Sequence, residues 1–298
     1  MLKIKKFAAI DIGSNAMRVL ISNVIETSEG VHFQKNALVR APIRLGEDSF
    51  TLGEISKKSL KRMVNAMKAF KLLMKVHGVS YYQAFATSAL REANNSADVV
   101  EQIKKKAGIK IEIIDGRKEA EIISTSKISD FLNTQKTLLF VDVGGGSTEF
   151  TFINEGQRVC SKSFKIGTVR LINNLVDERV WDAIEAWIVK NSKPYRKITL
   201  MGSGGNINKL FKLSKIKEGK PLSIIKLNQV FSELESLTYE QRMLKFELNP
   251  DRADVIVPAA RIYLRALEWS GGQKIYVPKF GLSDGMIKYM YKNSKKKS

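Results

Sequence analysis

The sequence has a single cysteine, Cys160, so no disulfide can form within the chain, and a reducing compartment is the expectation. Cys160 itself reads as a small half-buried residue on a strand, and nothing nearby marks it as a nucleophile. Histidine is almost as scarce. His32 and His77 stand without partners at metal-site or triad spacing. There is no Gly-x-Ser-x-Gly elbow and no Gly-x-x-x-x-Gly-Lys-Ser/Thr loop, which excludes a serine-hydrolase elbow and a P-loop nucleotide site. No apolar run approaches the roughly 18 residues of a membrane span. The start, MLKIKKFAAID, has only four apolar residues in a row before Asp11, too few for the hydrophobic region of a signal peptide. A soluble, cytoplasmic protein without membrane partners is expected.

Acid is also in short supply. The 30 Asp and Glu face 50 Lys and Arg, for a formal net charge of +20. That excess favours a polyanionic partner: nucleic acid, an anionic membrane, or a phosphate-rich small molecule or polymer. A solvated surface explains the same charge. Much of it lies in SKKSLKRMVNAMKAFKLLMKVHG, where Leu60, Met63, Met67, Phe70 and Met74 fall at helical spacing and the lysines between them form the wet face.

The 298 residues suit two domains of about 150 each, and a 44% hydrophobic content supplies their cores. Strands alternate with helices, which gives an α/β class. Two segments are alike: FAAIDIGSNAMRVLISNV at the start and LLFVDVGGGSTEFTFINEG in the middle. Both read strand, turn, strand, and Asp11 and Asp142 are 131 residues apart. A repeat of that size points to two similar domains.

Glycines weaken a strand unless something must approach the backbone closely. Tight glycine turns turn N–H groups outward as an anion cradle. Gly144, Gly145, Gly146, Ser147 and Thr148 form one candidate cradle, and Gly13, Ser14 and Asn15 the other. Acids beside phosphate oxygens need a hard cation between them, and Mg²⁺ takes one or two carboxylates plus phosphate and water. Asp11, Asp142 and Glu149 therefore read as metal-side groups. One such turn alone is equally a hairpin with a glycine bulge; two copies are harder to explain structurally. ITLMGSGGNINKL adds a third candidate at a helix N-terminus, with Gly202, Ser203 and Gly204. It does not fit the dinucleotide pattern Gly-x-Gly-x-x-Gly. In IEIIDGRKEAEIIS, Glu119 opens a helix, placed either to hold a water in line with a phosphate or simply to complement the helix dipole. Arg91, in FATSALREANN, suits bidentate phosphate binding or an ordinary surface.

Together, AAIDIGSNAMR, ATSALREA, IIDGRKEAEII, FVDVGGGSTEF, MGSGGNI and LSDGMI resemble, in order and spacing, the exopolyphosphatase and guanosine pentaphosphatase family. The resemblance spans about residues 7–290. It implies two ribonuclease-H-like domains of the actin-like ATPase superfamily with a cleft between them. These would be residues 1–125 and 126–283, with a closing helix, 284–298, packed back on the first. It implies a phosphoanhydride hydrolase that releases the terminal phosphate of inorganic polyphosphate with Mg²⁺ or another divalent cation. The matching positions make Glu119 the catalytic glutamate. Asp142 and Glu149 become metal-associated acids, Asp11 the acid of the first phosphate loop, and Arg91 a phosphate ligand. Lys118 stands where relatives often have a second acid. Guanosine pentaphosphate is the alternative substrate, by the same chemistry. A kinase of the same superfamily and a non-catalytic polyphosphate or alarmone sensor are the other readings. The family also suggests a homodimer. Nucleic acid accounts for the charge but not for the paired glycine turns.

Overall fold

The protein is described by a computed structural model over residues 2–124, 137–278 and 280–295. The sequence-predicted helix continuing past Ser124 and the boundary near residue 125 lie outside these residues. The chain divides into two compact units, residues 1–126 with 280–298, and residues 127–279.

The first unit opens with β1 (Lys3–Ile12), β2 (Met17–Thr27) and β3 (Gly30–Ala41), an antiparallel run. Helices α1 (Leu45–Leu52) and α2 (Lys57–Val76) follow, then β4 (Tyr81–Ala86), α3 (Ser88–Glu92), α4 (Ser96–Ala107), β5 (Ile111–Ile113) and α5 (Gly116–Ser124). The strand order is β3-β2-β1-β4-β5, with β1, β4 and β5 parallel. Central β1 is buried from Phe7 to Ile12, as a strand covered on both faces must be, whereas edge strand β3 is mostly exposed. Helix α2 starts where Ser56 Oγ accepts the Ser59 amide, and buries Met63, Met67 and Phe70. Each such side chain contributes roughly 1.5–3 kcal/mol on burial. The sequence-predicted helix over 54–77 is thus α2, shorter at its start; α1 had no strong periodic signal and was not expected.

The second unit repeats the pattern with β6 (Thr137–Val143), β7 (Thr148–Asn154) and β8 (Gln157–Phe164), then α6 (Thr168–Ile172) and α7 (Glu178–Ser192). Next come β9 (Thr199–Ser203), α8 (Gly205–Leu213), β10 (Leu222–Ser223), α9 (Ile224–Glu235), α10 (Tyr239–Phe246), α11 (Pro250–Ala253), α12 (Ile256–Ser270) and β11 (Lys274–Tyr276). Its sheet runs β10-β11-β9-β6-β7-β8. Read from β8 inward, this is the order of the first sheet with one further edge strand, β10. Even the irregularities repeat. The β2–β3 pairing slips between Ile21 and Ser22, and the β7–β8 pairing slips between Phe152 and Ile153, again 131 residues on. Of these elements, β8, α6, β10, α10 and α11 were not anticipated. A readable capping box, Thr238 with Gln241, opens α10.

Helix α13 (Leu282–Lys295) returns to the first unit. Tyr291 meets Phe7 and Phe33 edge-on at 6.3 and 5.7 Å, and Lys35 pairs with Asp284 at 2.8 Å. The sequence placed Ser283 or Asp284 as a cap before this helix. Both lie inside it, and Asp284 instead reaches back to accept the Gly281 amide. A Cβ on Gly285 would come under 3.0 Å from the Ile122 carbonyl of α5, so only glycine allows this approach. Gly285→Ala is expected to cost the first unit about 1–3 kcal/mol by overpacking, seen as a lower urea midpoint. Gly281→Ala, with nothing within 4 Å of its would-be Cβ, is the matched control and should change little.

Candidate functional site

Hydrogen-bond register holds the ends of the parallel strands level. In the first unit Ile12 pairs with Ala86 and Ala86 with Ile113. The Gly13–Ala16 turn, α3 and α5 therefore leave the sheet at one edge. In the second unit Asp142 pairs with Ser203 and Met201 with Tyr276, so the Gly144–Ser147 turn and the GSGGN loop leave one edge there. Carboxyl ends of parallel strands are where open α/β sheets place ligands.

The two turns are built alike. Gly13 N donates to Ala16 O at 3.1 Å, and Gly144 N to Ser147 O at 2.9 Å. The carbonyls of each turn are taken by the segment after the third strand. In the first unit Arg44 N donates to Asn15 O and Gly46 N to Ser14 O. In the second, Thr168 N donates to Gly144 O at 3.0 Å and Val169 N to Gly145 O at 2.8 Å, and Arg170 Nε takes Gly146 O at 2.7 Å. A Cβ on Gly167 would fall under 3.0 Å from the Gly145 backbone, so this clasp closes only over glycine. With their carbonyls tied, the amides of Gly145 and Gly146 donate to no described residue.

The hydroxyls at the second turn do not join this cradle. Ser147 Oγ donates to Glu149 at 2.7 Å, and Thr148 Oγ1 donates to Ile166 O at 2.7 Å. The sequence reading took the backbone N–H groups of this turn as phosphate donors; the two side chains are engaged inside. Ser14 Oγ is likewise bound to Ser88 Oγ at 2.9 Å.

The acids differ between the repeats. Arg18 lies directly opposite Asp11 and its Nη1 donates to Asp11 Oδ2 at 3.1 Å. Burial still pushes the Asp11 carboxyl up, and Arg18 offsets part of that. The residue opposite Asp142 is Glu149, at the position equivalent to Arg18. Opposite residues of an antiparallel pair share a face, with Cβ atoms about 4.5–5.5 Å apart. Glu149 is buried and accepts hydroxyl hydrogen bonds from Ser147 and Ser163; Asp142 is half-exposed. Among the described residues no group of three or more acids, histidines or cysteines is placed to hold a metal ion. The fit is to a two-carboxylate site at Asp142 and Glu149, a number that suits Mg²⁺. Asp11 has its own counter-charge.

The third loop joins this corner. Gly204, at φ 101°, begins α8 with no side-chain cap, and its would-be Cβ lies 3.3 Å from Asp142 Oδ1. Ser203 Oγ is buried and has no described hydrogen-bond partner. Gly202, by contrast, is a strand residue packed against Ile275, Ile207 and Tyr263. It makes room for those side chains and is corrected from a loop residue to a core one. Two residues here were missed. Tyr263 of α12 donates its hydroxyl to Ser203 O at 2.7 Å. Burial first, then the Asp142 charge, holds that phenol well above the usual range, so it stays protonated. Arg252 lies over Gly205 at the start of α8 and donates to the Asn206 side chain. On sequence, Tyr263 was one apolar position in a core helix, and no local motif marked Arg252.

At the first unit's edge, Asp115 caps α5 by accepting the Lys118 amide at 2.7 Å, and Glu119 sits in the first turn, largely buried. Lys118 turns away. Its Nζ pairs with Glu112 and rests over the Phe85 ring at 5.2 Å, and the Glu112 hydrogen bond raises its pKa. Arg91 Nη1 donates to Ile114 O at 2.8 Å, which ties α3 to the strand end that carries Asp115 and Glu119.

Residues 24–294 match a family model described as the Ppx/GppA phosphatase family. Among curated relatives, exopolyphosphatase 2 of Mycobacterium tuberculosis is 27% identical over 84% of this chain and 86% of its own. Exopolyphosphatase 1 of Mycobacterium leprae is 22% identical over 95% and 88%. A bifunctional 3-dehydroquinate synthase/phosphatase of Fusobacterium nucleatum is 29% identical over 91% of this chain, which spans only 44% of that protein. A crystal structure of an exopolyphosphatase from Cytophaga hutchinsonii shares the fold with a TM-score of 0.85, at 24% identity and over 97% and 98% of the two chains. The Aquifex aeolicus member of the family gives 0.77, at 24% identity and over 98% and 99%. Gly167→Ala is expected to open the clasp on the second turn. The checks are faster amide exchange at Thr168 and Val169 and a stability loss of about 1–3 kcal/mol.

Proposed function

Because the chain belongs to the Ppx/GppA phosphatase family, we propose that it is a phosphoanhydride hydrolase that releases the terminal phosphate of inorganic polyphosphate to water. The observation that carries this reading is the second turn. Its carbonyls are tied to the residues that open α6, its Gly145 and Gly146 amides have no described acceptor, and the Asp142–Glu149 pair stands beside it. Such an array suits an anion that brings its own cation.

The terminal phosphoryl oxygens sit against the amides of the second turn and those of Gly205 and Asn206 at the uncapped start of α8. Fixed N–H donors of this kind stabilise the charge on a transferring phosphoryl group without reorganising. Ser203 Oγ adds a buried donor to the same corner. Tyr263 holds the Ser203 carbonyl, so the loop keeps its shape as charge develops. A divalent cation held by Asp142 and Glu149 would neutralise phosphate charge there. Glu119, in the first turn of α5, is the base of this reading: it takes the proton of the attacking water as the new P–O bond forms and the bridging P–O bond to the shortened chain breaks. Asp115 and Arg91 fix the position of Glu119, and the other guanidinium nitrogens of Arg91 remain the expected phosphate contacts. Water attacks the phosphorus directly, so no phosphoenzyme forms.

The test is phosphate release under Mg²⁺ from triphosphate, long-chain polyphosphate, guanosine pentaphosphate and ATP. Release from polyphosphate is expected, abolished by chelation and restored by Mg²⁺. Glu119→Gln should lower kcat by roughly 10²-fold or more; near-normal turnover in a folded variant would remove Glu119 from the base role. Release from guanosine pentaphosphate alone would reassign the substrate. Binding without release from any of them would make the protein a sensor.

A further inference from the structure

Helix α2 carries Lys57, Lys58, Lys61, Lys68, Lys71, Lys75 and Arg62 in 20 residues, and no Asp or Glu. All six lysines are exposed, and none forms an ion pair with a described residue. Some surface cations elsewhere do pair, among them Lys245 with Glu233, Arg261 with Glu235 and Arg179 with Asp177. Lys61, Lys68 and Lys75 recur every seven residues, two helical turns, so they stack in a line along one edge of α2. Lys57 begins that line. Over its length the row spans about 27 Å, at 1.5 Å per residue. Like charges three and four residues apart repel, which weakens the helix that carries them. The arrangement makes sense if an anion outside the chain supplies the missing charge.

The row also has a direction. Arg62, near its start, donates to the carbonyls of Pro42 and Ile43. The next residues, Arg44 and Gly46, hold the first glycine turn by its carbonyls. The helix therefore begins at the turn end of the first unit. It finishes at the other end of the sheet, where Ser80 N donates to Lys6 O and β4 starts. Lys71 lies at the C-terminal end of α4, over Gly108, which brings the exposed Lys104, Lys105 and Lys106 close to the row.

We propose that this face of α2 is a docking track for a linear phosphate chain, one that holds the part of a long polyphosphate not being cut. The proposal rests on the polyphosphate reading above. A lysine ammonium is a point charge with three rotatable donors, so a row of them accepts phosphate units in any register and lets the chain slide. The exposed side of α2 offers no aromatic ring on which a nucleic-acid base would stack. The row sets four ammonium groups along a linear polyanion, and the attachment is salt-sensitive.

The test is the triple variant Lys61→Gln, Lys68→Gln, Lys75→Gln, whose side chains are exposed and unpaired, so folding is retained; circular dichroism and the thermal midpoint verify that. With long-chain polyphosphate the expected result is a KM raised about tenfold and a shallower salt dependence. kcat, and both constants for triphosphate, should be unchanged. An unchanged KM for the long chain in an enzyme that does cut it would overturn the track and leave the hydrolase reading standing. If the wild type cut no polyphosphate, the hydrolase reading would fall separately, and direct binding of long-chain polyphosphate would decide the track. Weaker binding by the variant supports it; equal affinity overturns it. Duplex DNA and phosphatidylserine vesicles are the competing probes. If either binds more tightly than polyphosphate and loses that binding in the variant, the occupant is wrong.

Discussion

A tight turn has carbonyls on one side and amides on the other, and tying down one side decides what the other can do. Here the carbonyl side is tied twice over. After the third strand of each sheet, the chain enters a helix whose first amides take the carbonyls of the first hairpin turn: Arg44 and Gly46 in one unit, Thr168 and Val169 in the other. The donors of the turn then face away from the body of the unit. A buried, unmet amide costs free energy, so such a turn is stable only where solvent or an anion reaches it. The glycine at 167 and the first amides of the short helix α6 keep that clasp closed.

The two clasps are equivalent in backbone but not in charge. Arg18 faces Asp11 in the first unit; Glu149 faces Asp142 in the second, at the same step of the same hairpin. One exchange of sign separates a turn whose acid has an internal counter-ion from one whose neighbouring acids favour a cation. The repeat thus supplies one scaffold with two electrostatic settings, and the catalytic asymmetry proposed for the protein starts at that pair.

Charge is distributed on a larger scale as well. Some surface cations sit beside acids, as Lys245 does beside Glu233 and Arg261 beside Glu235, and such pairs contribute little singly. Helix α2 has its lysines in line and no acid among them. That helix is bonded, through Arg62 and residues 42–46, to the segment that clasps the first turn.

The α/β class, the 131-residue repeat, the glycine turns and the acids before them were legible in the sequence, because strand periodicity and glycine placement are local signals. Glu119 was legible only through a family resemblance, since one acid in a first helical turn has an ordinary explanation of its own. Helix α1 and strand β8 were missed, the first short and weakly patterned, the second an exposed edge. What the tertiary structure alone decided was the use of each group. Gly202 and Gly204 are two residues apart and look alike in sequence, yet one makes room for Tyr263 and the other abuts Asp142. Ser147 and Thr148 entered the reading by their backbone N–H groups, and only the structure showed that their hydroxyls bond inward. Lys118 adjoins Glu119 in the chain and turns to Glu112. Tyr263 and Arg252 reach the α8 loop from 60 and 46 residues away. Sequence determines which groups are available and at what period; which of them meet depends on side-chain direction and strand register, and these exist only once the sheets have formed.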